Sequence, residues 1–184
     1  MELRETGIGG LIIVEPMVHG DQRGYFMETY HQNRLDKQGI RHRFVQDNES
    51  RSVYGVIRGL HFQKDPHAQA KLIRVTEGAI YDVAVDIRPS SPTFGKWYGI
   101  ELSKENHLQL LVPRGFAHGF SVLSEHATLF YKCDAYYHPE SESGIRYDDP
   151  DLQIDWKVST AEAIVSSKDR HLPYFKELSF QPGS

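Results

Sequence analysis

The chain has 184 residues, of which 39% are hydrophobic and 25% are charged, and its formal net charge is −4. These values are typical of a soluble globular protein with one core, and the negative charge argues against nucleic acid as a partner. No apolar run approaches the roughly 18 residues of a membrane span, and the charged N-terminus lacks the apolar region of a signal peptide, so we expect no membrane association.

Short apolar segments separated by turn residues predict a chain built mainly from β-strands. In chain order the predicted strands cover residues 10–14, 24–30, 54–62, 71–75, 79–87, 97–102, 108–112 and 127–132. Residues 76–78 between two of these strands predict a hairpin-like turn, in which Gly78 adopts a positive φ at little cost. Alternation along residues 79–87 places Tyr81, Val83 and Val85 on one face and Asp82 with Ala84 on the other.

Helix signals are few, and we predict only two short helices, over residues 33–38 and 159–164. Many short strands with turns between them indicate an all-β sandwich or barrel. One domain over residues 1–184 is expected, with a loose tail from about residue 180. The single cysteine, Cys133, cannot form an internal disulfide, which favours the reducing cytoplasm as the location.

Residues 58–63, with the sequence RGLHFQ, hold the most informative histidine, His61. A histidine in a strand is often structural, but imidazole is also the side chain best suited to accept a proton at neutral pH. A histidine used as a base needs a partner on its other ring nitrogen, and Asp169 is a candidate that sequence separation alone does not establish. The two interpretations, structural histidine and general base, both stay open at this point.

Lys71 and Tyr131 are candidates for the other parts of such chemistry. Lys71 begins an apolar strand, so it is either a surface charge or an ammonium that stabilises an enolate in a dry site. Tyr131 is either a core side chain or an acid that protonates a carbanion from the face opposite the base. Together with His61, these groups suit proton transfer at a carbon beside a carbonyl.

Two arginines, Arg23 and Arg58, each lie next to a glycine. A forked guanidinium in such a place binds phosphate in bidentate fashion or forms a surface salt bridge. Gln46 and Asn48 belong to a polar cluster, whose amides either read a nucleobase edge or sugar hydroxyl, or form a hydrated turn.

The ten histidines raise the question of a metal site. His61 has no histidine two residues away, and no glutamate is spaced to complete a ligand set with His61 and His118. His42 lies between two arginines, which would repel a metal ion. The nucleophile-elbow, phosphate-loop and dinucleotide-binding motifs are also absent, so we expect neither a catalytic metal nor another cofactor.

Five segments in order resemble the dTDP-4-dehydrorhamnose 3,5-epimerase family: residues 20–28, 44–50, 58–63, 113–120 and 144–150. The resemblance covers about residues 4 to 175. It implies a cupin-type jelly roll without metal, and a homodimer in which the N-terminal strand reaches the neighbouring subunit. It also implies inversion of C3 and C5 of dTDP-4-dehydro-6-deoxy-D-glucose on the route to dTDP-L-rhamnose.

The resemblance further implies roles for individual residues. His61 would be the base, Asp169 its partner, Lys71 the cation beside the enolate oxygen, and Tyr131 the acid. Ten residues would line the nucleotide-sugar site: Arg23, Phe26, Glu28, Gln46, Asn48, Arg58, His118, Tyr137, Glu142 and Lys168.

Two features of the sequence leave the recognition of the base open. His19 stands where the family often has an aromatic residue that stacks on thymine, and imidazole stacks more weakly. Tyr136 and Tyr137 are adjacent, so either one would stack on that side.

Three other functions are weighed against the double epimerase. A 3-epimerase or 5-epimerase for another dTDP-deoxysugar would keep the same acid and base residues, although the full set of four favours double epimerisation. A metal-dependent cupin oxygenase would require a bound metal. A binding module without turnover would have no need for an acid/base set.

Overall fold

The computed structural model describes residues 1–179 and is dominated by β-strands. Its strands are β1 (Glu2–Glu5), β2 (Ile12–Glu15), β3 (Val18–Asp21), β4 (Gly24–Met27), β5 (Gln46–Val53), β6 (Ile57–Gln63), β7 (Lys71–Glu77), β8 (Ala79–Asp86), β9 (Trp97–Ser103), β10 (Gln109–Val112), β11 (Phe116–Val122), β12 (His126–Cys133) and β13 (Glu142–Gly144). Its helices are α1 (Gln32–Lys37), α2 (Ser167–Arg170) and the two short 3₁₀ helices Pro139–Ser141 and Phe175–Glu177. The predicted loose tail from about residue 180 lies outside the described residues.

Two antiparallel sheets face each other across the core. One has six strands in the order β1-β2-β10-β7-β12-β5, and the other has five in the order β13-β6-β11-β8-β9. Strands β3 and β4 form a separate hairpin. The prediction of an all-β, cupin-type jelly roll with few and short helices is confirmed.

Apolar side chains from both sheets fill the space between them. Ile73 of β7 and Leu129 of β12 meet Ile80 and Ala84 of β8 in this cluster. The opposite face of β8, with Val83 among its members, packs in a second cluster beneath the C-terminal segment. The strand is therefore buried on both faces, and the alternation places Asp82 on the same face as Ala84.

The predicted hairpin turn at residues 76–78 is wrong, because β7 and β8 belong to different sheets. The chain instead crosses from one sheet to the other there. Gly78 does have a positive φ of 72°. A Cβ atom at this position would lie 2.1 Å from the carbonyl oxygen of His126, so the crossing requires glycine.

The predicted helix over residues 159–164 is also wrong, since turns and a β-bridge occupy this segment. Ile164 accepts a hydrogen bond from the backbone of Ile57 and donates one to Gly55. These long-range bonds use the backbone groups that a helix would need. The helix near the end is instead α2, whose first turn is capped by the hydroxyl of Ser166.

Several strands were not predicted from the sequence. The sequence indicated only a polar cluster around Gln46 and Asn48, but this segment forms β5, which pairs with β12 over eight residues. Strand β11 covers most of the segment 113–120, for which no strand was predicted. Strand β5 consists mainly of residues with weak strand propensity, and β11 contains Ala117, His118 and Gly119, so tertiary contacts stabilise both strands. Among residues 1–179, no helix is long and apolar enough to cross a membrane.

Asp86, at the end of β8, provides a test of the fold's acid stability. Burial raises the pKa of this carboxyl group, but hydrogen bonds from Arg88, Ser91 and Thr93 outweigh burial and lower it to about 2. Because the pKa of Asp86 is lower in the folded protein than its ordinary value of 3.8, the carboxylate stabilises the fold at pH values above 3.8. This stabilisation is lost as the pH falls towards 2. We expect Asp86→Asn to lower the free energy of unfolding by about 2 kcal/mol at neutral pH, and by about half as much near pH 3.

Urea unfolding of both proteins between pH 7 and pH 3 measures this difference. Asp151→Asn is the control, because Asp151 is exposed. A gap between wild type and Asp86→Asn that stays constant down to pH 3 would contradict the assignment.

Candidate active site

A cavity of about 310 Å³ opens between the two sheets. It is lined by Gln46, Asn48, His61, Phe62, Gln63, Gln69, Lys71, Tyr131, Cys133, Tyr137 and Glu142. Strands β5, β7 and β12 contribute from one sheet, and β6 and β13 contribute from the other. A larger cavity of about 690 Å³ beside Arg88 and Leu178 contains none of the four predicted catalytic residues.

His61 and Asp169 are joined directly, although 108 positions separate them in the chain. The Nε2 atom of His61 lies 2.8 Å from Oδ1 of Asp169. The other oxygen, Oδ2, accepts a hydrogen bond from the backbone N–H of Gly59 at 3.1 Å. Because the ionised carboxylate accepts a hydrogen bond from Nε2–H, the neutral imidazole has its free lone pair on Nδ1.

Asp169 is 3% exposed, and its environment keeps it ionised. Burial raises the pKa of this carboxyl group, but hydrogen bonds from His61, Gly59 and Ser166 reverse the effect and leave the pKa below its usual value. A fixed carboxylate on the back of an imidazole orients the ring and stabilises its protonated form. The pair therefore has the geometry of a general base with its orienting group.

Gly59 makes this arrangement possible through its conformation. Its φ is +116°, and a Cβ atom there would approach the Cα atom of Gly119 to 2.6 Å. Only glycine fits between β6 and β11 at this point, which leaves the Gly59 N–H free to bind Asp169.

Lys71 lies across from Cys133 at the start of β7. Burial lowers the pKa of its ammonium, and the neighbouring Cys133, Asp82 and Glu142 oppose this shift. Among residues 1–179, no hydrogen bond or ion pair satisfies the ammonium. A desolvated cation without a partner is suited to stabilising an anion that enters the cavity.

Tyr131 comes from the same sheet as Lys71. It lies opposite Asn48 in the pairing of β12 with β5. Burial raises the pKa of its phenol, and the nearby Arg58 partly opposes this shift. A phenol with a raised pKa stays protonated at neutral pH and is available as a proton donor.

A second histidine–aspartate pair lies beside the first. His118 is directly opposite His61 in the pairing of β11 with β6, and its Nε2 atom is 2.5 Å from Oδ1 of Asp82. Asp82 is fully buried, and its Oδ2 atom has no hydrogen-bond partner. His118 is itself 9% exposed and is not among the residues that line the 310 Å³ cavity.

Glu142 connects two other predicted substrate-binding residues. Its Oε2 atom accepts hydrogen bonds from the hydroxyl of Tyr137 at 2.7 Å and the ammonium of Lys168 at 2.6 Å. On the other side of the cavity, Gln46 donates to the Oδ1 atom of Asn48 at 3.0 Å. The predicted polar cluster is thus part of the cavity wall.

Arg58, the second residue of β6, is exposed, and its Nε atom donates a hydrogen bond to the hydroxyl of Ser52 at 3.0 Å. It is not among the residues that line the cavity.

Three predicted site residues lie elsewhere in this chain. Arg23 and Phe26, on the β3–β4 hairpin, line a separate cavity of about 230 Å³. Arg23 is paired with Asp21 at 2.5 Å, and Glu28 is paired with Arg34 at 3.0 Å. None of the three lines the cavity that contains His61.

Several residues of the site were missed from the sequence. Gln63 and Cys133 each lie two positions beyond a predicted residue on the same strand, so strand alternation contains a signal for both. Asp82 was placed on a polar face of β8 but not connected with the site. Gln69 lies in a loop, where no strand or helix periodicity predicts which way its side chain points.

The histidines do not form an evident metal site in the part of the chain that is described. Among residues 1–179, no group of three or more His, Cys, Asp or Glu side chains is arranged to hold a metal ion. His42 binds Asp134 at 2.9 Å. A reaction without metal or other cofactor stays a prediction.

Comparisons with known proteins agree on one family. A family model described as dTDP-4-dehydrorhamnose 3,5-epimerase matches residues 5–177. The dTDP-4-dehydrorhamnose 3,5-epimerase of Methanothermobacter thermautotrophicus is 51% identical over 174 residues, which cover 94% of each chain.

Two solved structures are similar along nearly their whole length. The dTDP-4-dehydrorhamnose 3,5-epimerase of Elizabethkingia anophelis has a TM-score of 0.93 and 54% identity, covering 96% of this chain and 97% of that one. The dTDP-6-deoxy-D-glucose-3,5-epimerase of Legionella pneumophila, solved in complex with dTDP-4-keto-L-rhamnose, has a TM-score of 0.92 and 49% identity, covering 97% and 94%. The chain therefore belongs to the dTDP-4-dehydrorhamnose 3,5-epimerase family.

The electrostatics of the cavity predict the effect of removing the charge of Asp82. Because Asp82 opposes the lowering of the Lys71 pKa, we expect Asp82→Asn to lower this pKa further. A pH titration of the Lys71 side-chain resonances by NMR measures the shift. Asp151→Asn is the matched control, and an unchanged Lys71 pKa in folded Asp82→Asn would show that the two charges do not interact.

Proposed function

We propose that this member of the dTDP-4-dehydrorhamnose 3,5-epimerase family inverts C3 and C5 of dTDP-4-dehydro-6-deoxy-D-glucose. The product is dTDP-4-dehydro-L-rhamnose, and the enzyme, an isomerase, serves dTDP-L-rhamnose biosynthesis. The observation that carries the proposal is the meeting of the His61–Asp169 pair with Lys71 and Tyr131 around one cavity. The family assignment and the ligand of the Legionella pneumophila enzyme support the choice of substrate.

The C4 ketone of the substrate explains why one set of groups is enough for two inversions. C3 and C5 both flank this carbonyl, so removal of the proton from either carbon gives an enolate with its charge on the same C4 oxygen. One base and one cation can therefore serve both centres in turn.

In the proposed reaction His61 takes the proton through Nδ1. The C–H bond breaks, an N–H bond forms, and Asp169 stabilises the resulting imidazolium. The electron pair moves onto the C4 oxygen beside the Lys71 ammonium. Tyr131 then gives its proton to the carbon from the opposite face, and exchange with water restores both groups.

The nucleotide and sugar hydroxyls are assigned to the remaining polar groups of the site. We assign Arg58 and Lys168 to the pyrophosphate and the polar side chains of Gln46, Asn48, Glu142 and His118 to the sugar and base. Tyr137 is assigned to stacking on the base, with Tyr136 as the alternative. Binding of the nucleotide away from the reacting carbons holds the sugar in place.

A homodimer would explain the position of the N-terminal residues. Phe26 is 70% exposed on the β3–β4 hairpin, and Arg23 and Glu28 lie outside the cavity of their own chain. We infer that Arg23, Phe26 and Glu28 complete the cavity of a neighbouring copy through strand exchange. The proposal also places the enzyme in the cytoplasm, where the buried thiol of Cys133 stays reduced.

A single-centre epimerase for another dTDP-deoxysugar is the alternative within the same chemistry. The identity of 51% and 54% to enzymes named 3,5-epimerases favours the double reaction. A metal-dependent oxygenase is a more distant alternative, and stoichiometric iron in the purified protein would support it instead.

The proposed base is tested by His61→Asn in deuterated water. With dTDP-4-dehydro-6-deoxy-D-glucose, we expect the wild type to incorporate deuterium at both C3 and C5, as measured by proton NMR. His61→Asn should lose the exchange by at least about a thousandfold, because an amide is not a base at neutral pH. His31→Asn is the matched control, since His31 is at the start of α1, outside the cavity.

The outcomes of this experiment separate the hypotheses. Deuterium at only one carbon in the wild type would indicate the single-centre alternative, and none at either carbon would overturn the proposed function. Full exchange in His61→Asn would assign the base elsewhere.

Strand exchange is tested by complementation between two inactive or weakened variants. In a mixed dimer of His61→Asn and Arg23→Ala subunits, one site would contain wild-type His61 from one subunit and wild-type Arg23 from its partner. We expect each purified mixed dimer to recover about half of the wild-type activity, although both parent dimers are impaired. Activity no greater than the average of the two parents would show that Arg23 serves its own chain.

A further inference from the structure

Two consecutive backbone N–H groups at the edge of the cavity are each bound by a glutamine side chain. The N–H of Tyr137 donates to Oε1 of Gln46 at 3.0 Å, and the N–H of His138 donates to Oε1 of Gln63 at 2.7 Å. Gln46 belongs to the six-stranded sheet and Gln63 to the five-stranded sheet. The segment is therefore held from both walls of the cavity.

Gln63 uses both ends of its amide. Besides accepting from His138, it donates through Nε2 to the carbonyl oxygen of His67 at 2.8 Å. The side chain is 8% exposed, so each bond is formed in a mostly water-free environment where an unpaired backbone group is costly. An amide is the neutral side-chain group that presents a donor and an acceptor side by side.

The two loops that Gln63 joins make further contacts with each other. Lys64 donates from its backbone to Ser141 at 2.8 Å, and Gln69 donates to the carbonyl oxygen of Ala135 at 2.8 Å. The rings of His67 and His138 are stacked, with centroids 3.8 Å apart and an angle of 4° between their planes. Residues 64–69 and 135–141 are thus joined by hydrogen bonds and ring stacking into one unit, which Gln63 attaches to β6.

This unit contains or adjoins the groups assigned to the nucleotide. Tyr137 precedes His138, and Glu142 lies opposite Gln63 in the pairing of β13 with β6. Tyr137 and Glu142 are joined to each other at 2.7 Å. The position of both side chains therefore depends on where the amide of Gln63 holds the backbone between them.

We propose that Gln63 is a positioning residue for nucleotide binding, which acts by holding the segment that carries Tyr137 and Glu142. The inference rests on the proposed function, in which these two residues bind the dTDP-sugar. Gln63 takes no part in proton transfer, because both of its polar atoms are already bonded to the backbone.

Gln63→Met tests the proposal, because methionine has a similar length and forms neither hydrogen bond. We expect dTDP to bind about tenfold more weakly by calorimetry, with a matching rise in KM and a kcat within about a factor of two of the wild type. Gln63→Glu keeps the acceptor for His138 and loses the donor to His67, so it should rescue part of the affinity. Gln38→Met is the matched control, since Gln38 is exposed at the end of α1.

A double-mutant cycle with Tyr137→Ala distinguishes positioning from general destabilisation. If Gln63 acts through Tyr137, the loss of dTDP affinity caused by Gln63→Met should shrink to about a factor of two in the Tyr137→Ala background. Thermal unfolding of each variant checks that the proteins are folded at the assay temperature.

Three results would overturn the inference. They are an unchanged dTDP affinity in folded Gln63→Met, an effect that is fully additive with Tyr137→Ala, or a loss in kcat with KM unchanged. A wild-type protein that binds dTDP but shows no turnover would instead contradict the proposed function, and the affinity measurements would still test the role of Gln63.

Discussion

The space between the two sheets is filled by apolar side chains over part of its length and by the polar cavity over the rest. The positions of the core and of the site both depend on this division. Strand β7 shows the constraint: Lys71 and Ile73 lie on the same face, two positions apart, and only Ile73 enters the apolar cluster. Strand β12 repeats the pattern, with Leu129 in the core and Cys133 at the cavity. One face of each strand thus builds both the core that holds the sheets together and the wall of the site.

Buried charge is the cost of building a site this close to a core. Asp169 offsets its burial with bonds to His61 and the Gly59 backbone, and Asp82 offsets its burial with a bond to His118. Lys71 has no such partner among the described residues, so its desolvation is compensated only by charges at a distance. In the proposed reaction, an enolate that forms beside Lys71 would supply the missing partner, and the ammonium would therefore favour the enolate over the ketone.

The sequence predicted the local features of this fold better than its connections. Alternation along residues 79–87 correctly separates Val83 from Asp82, because the period of a strand is a local property. The positive φ of Gly78 was predicted correctly, but the pairing of the strands on either side of it was not. Neither periodicity nor turn chemistry indicates which strands pair with each other. The helix predicted over residues 159–164 failed for the same reason, because the backbone of Ile164 bonds to Gly55 and Ile57.

The candidate site shows the same division between local and long-range information. No spacing rule connects His61 with Asp169 across 108 positions. Asp169 was a candidate partner from the residues alone, and the resemblance to a family gave it that role. Gln63, by contrast, lies two positions from His61 on the same strand, so alternation indicates its direction, although not the loops that it joins. The sequence shows Asp82 as a polar residue in an apolar strand, and such a residue requires a partner that only the fold reveals.

The size of the cavity bears on where the nucleotide lies. At about 310 Å³, it is at the lower end of the roughly 300–1,000 Å³ found for small-molecule sites. That volume suits a hexose ring beside His61, but a nucleotide diphosphate attached to the ring would extend past the edge. The edge is where Tyr137 is 51% exposed and where the segment held by Gln46 and Gln63 runs. Lys168, which is bonded to Glu142, lies beside this segment. Strand exchange would add Arg23 and Phe26 of a neighbouring copy at the same edge.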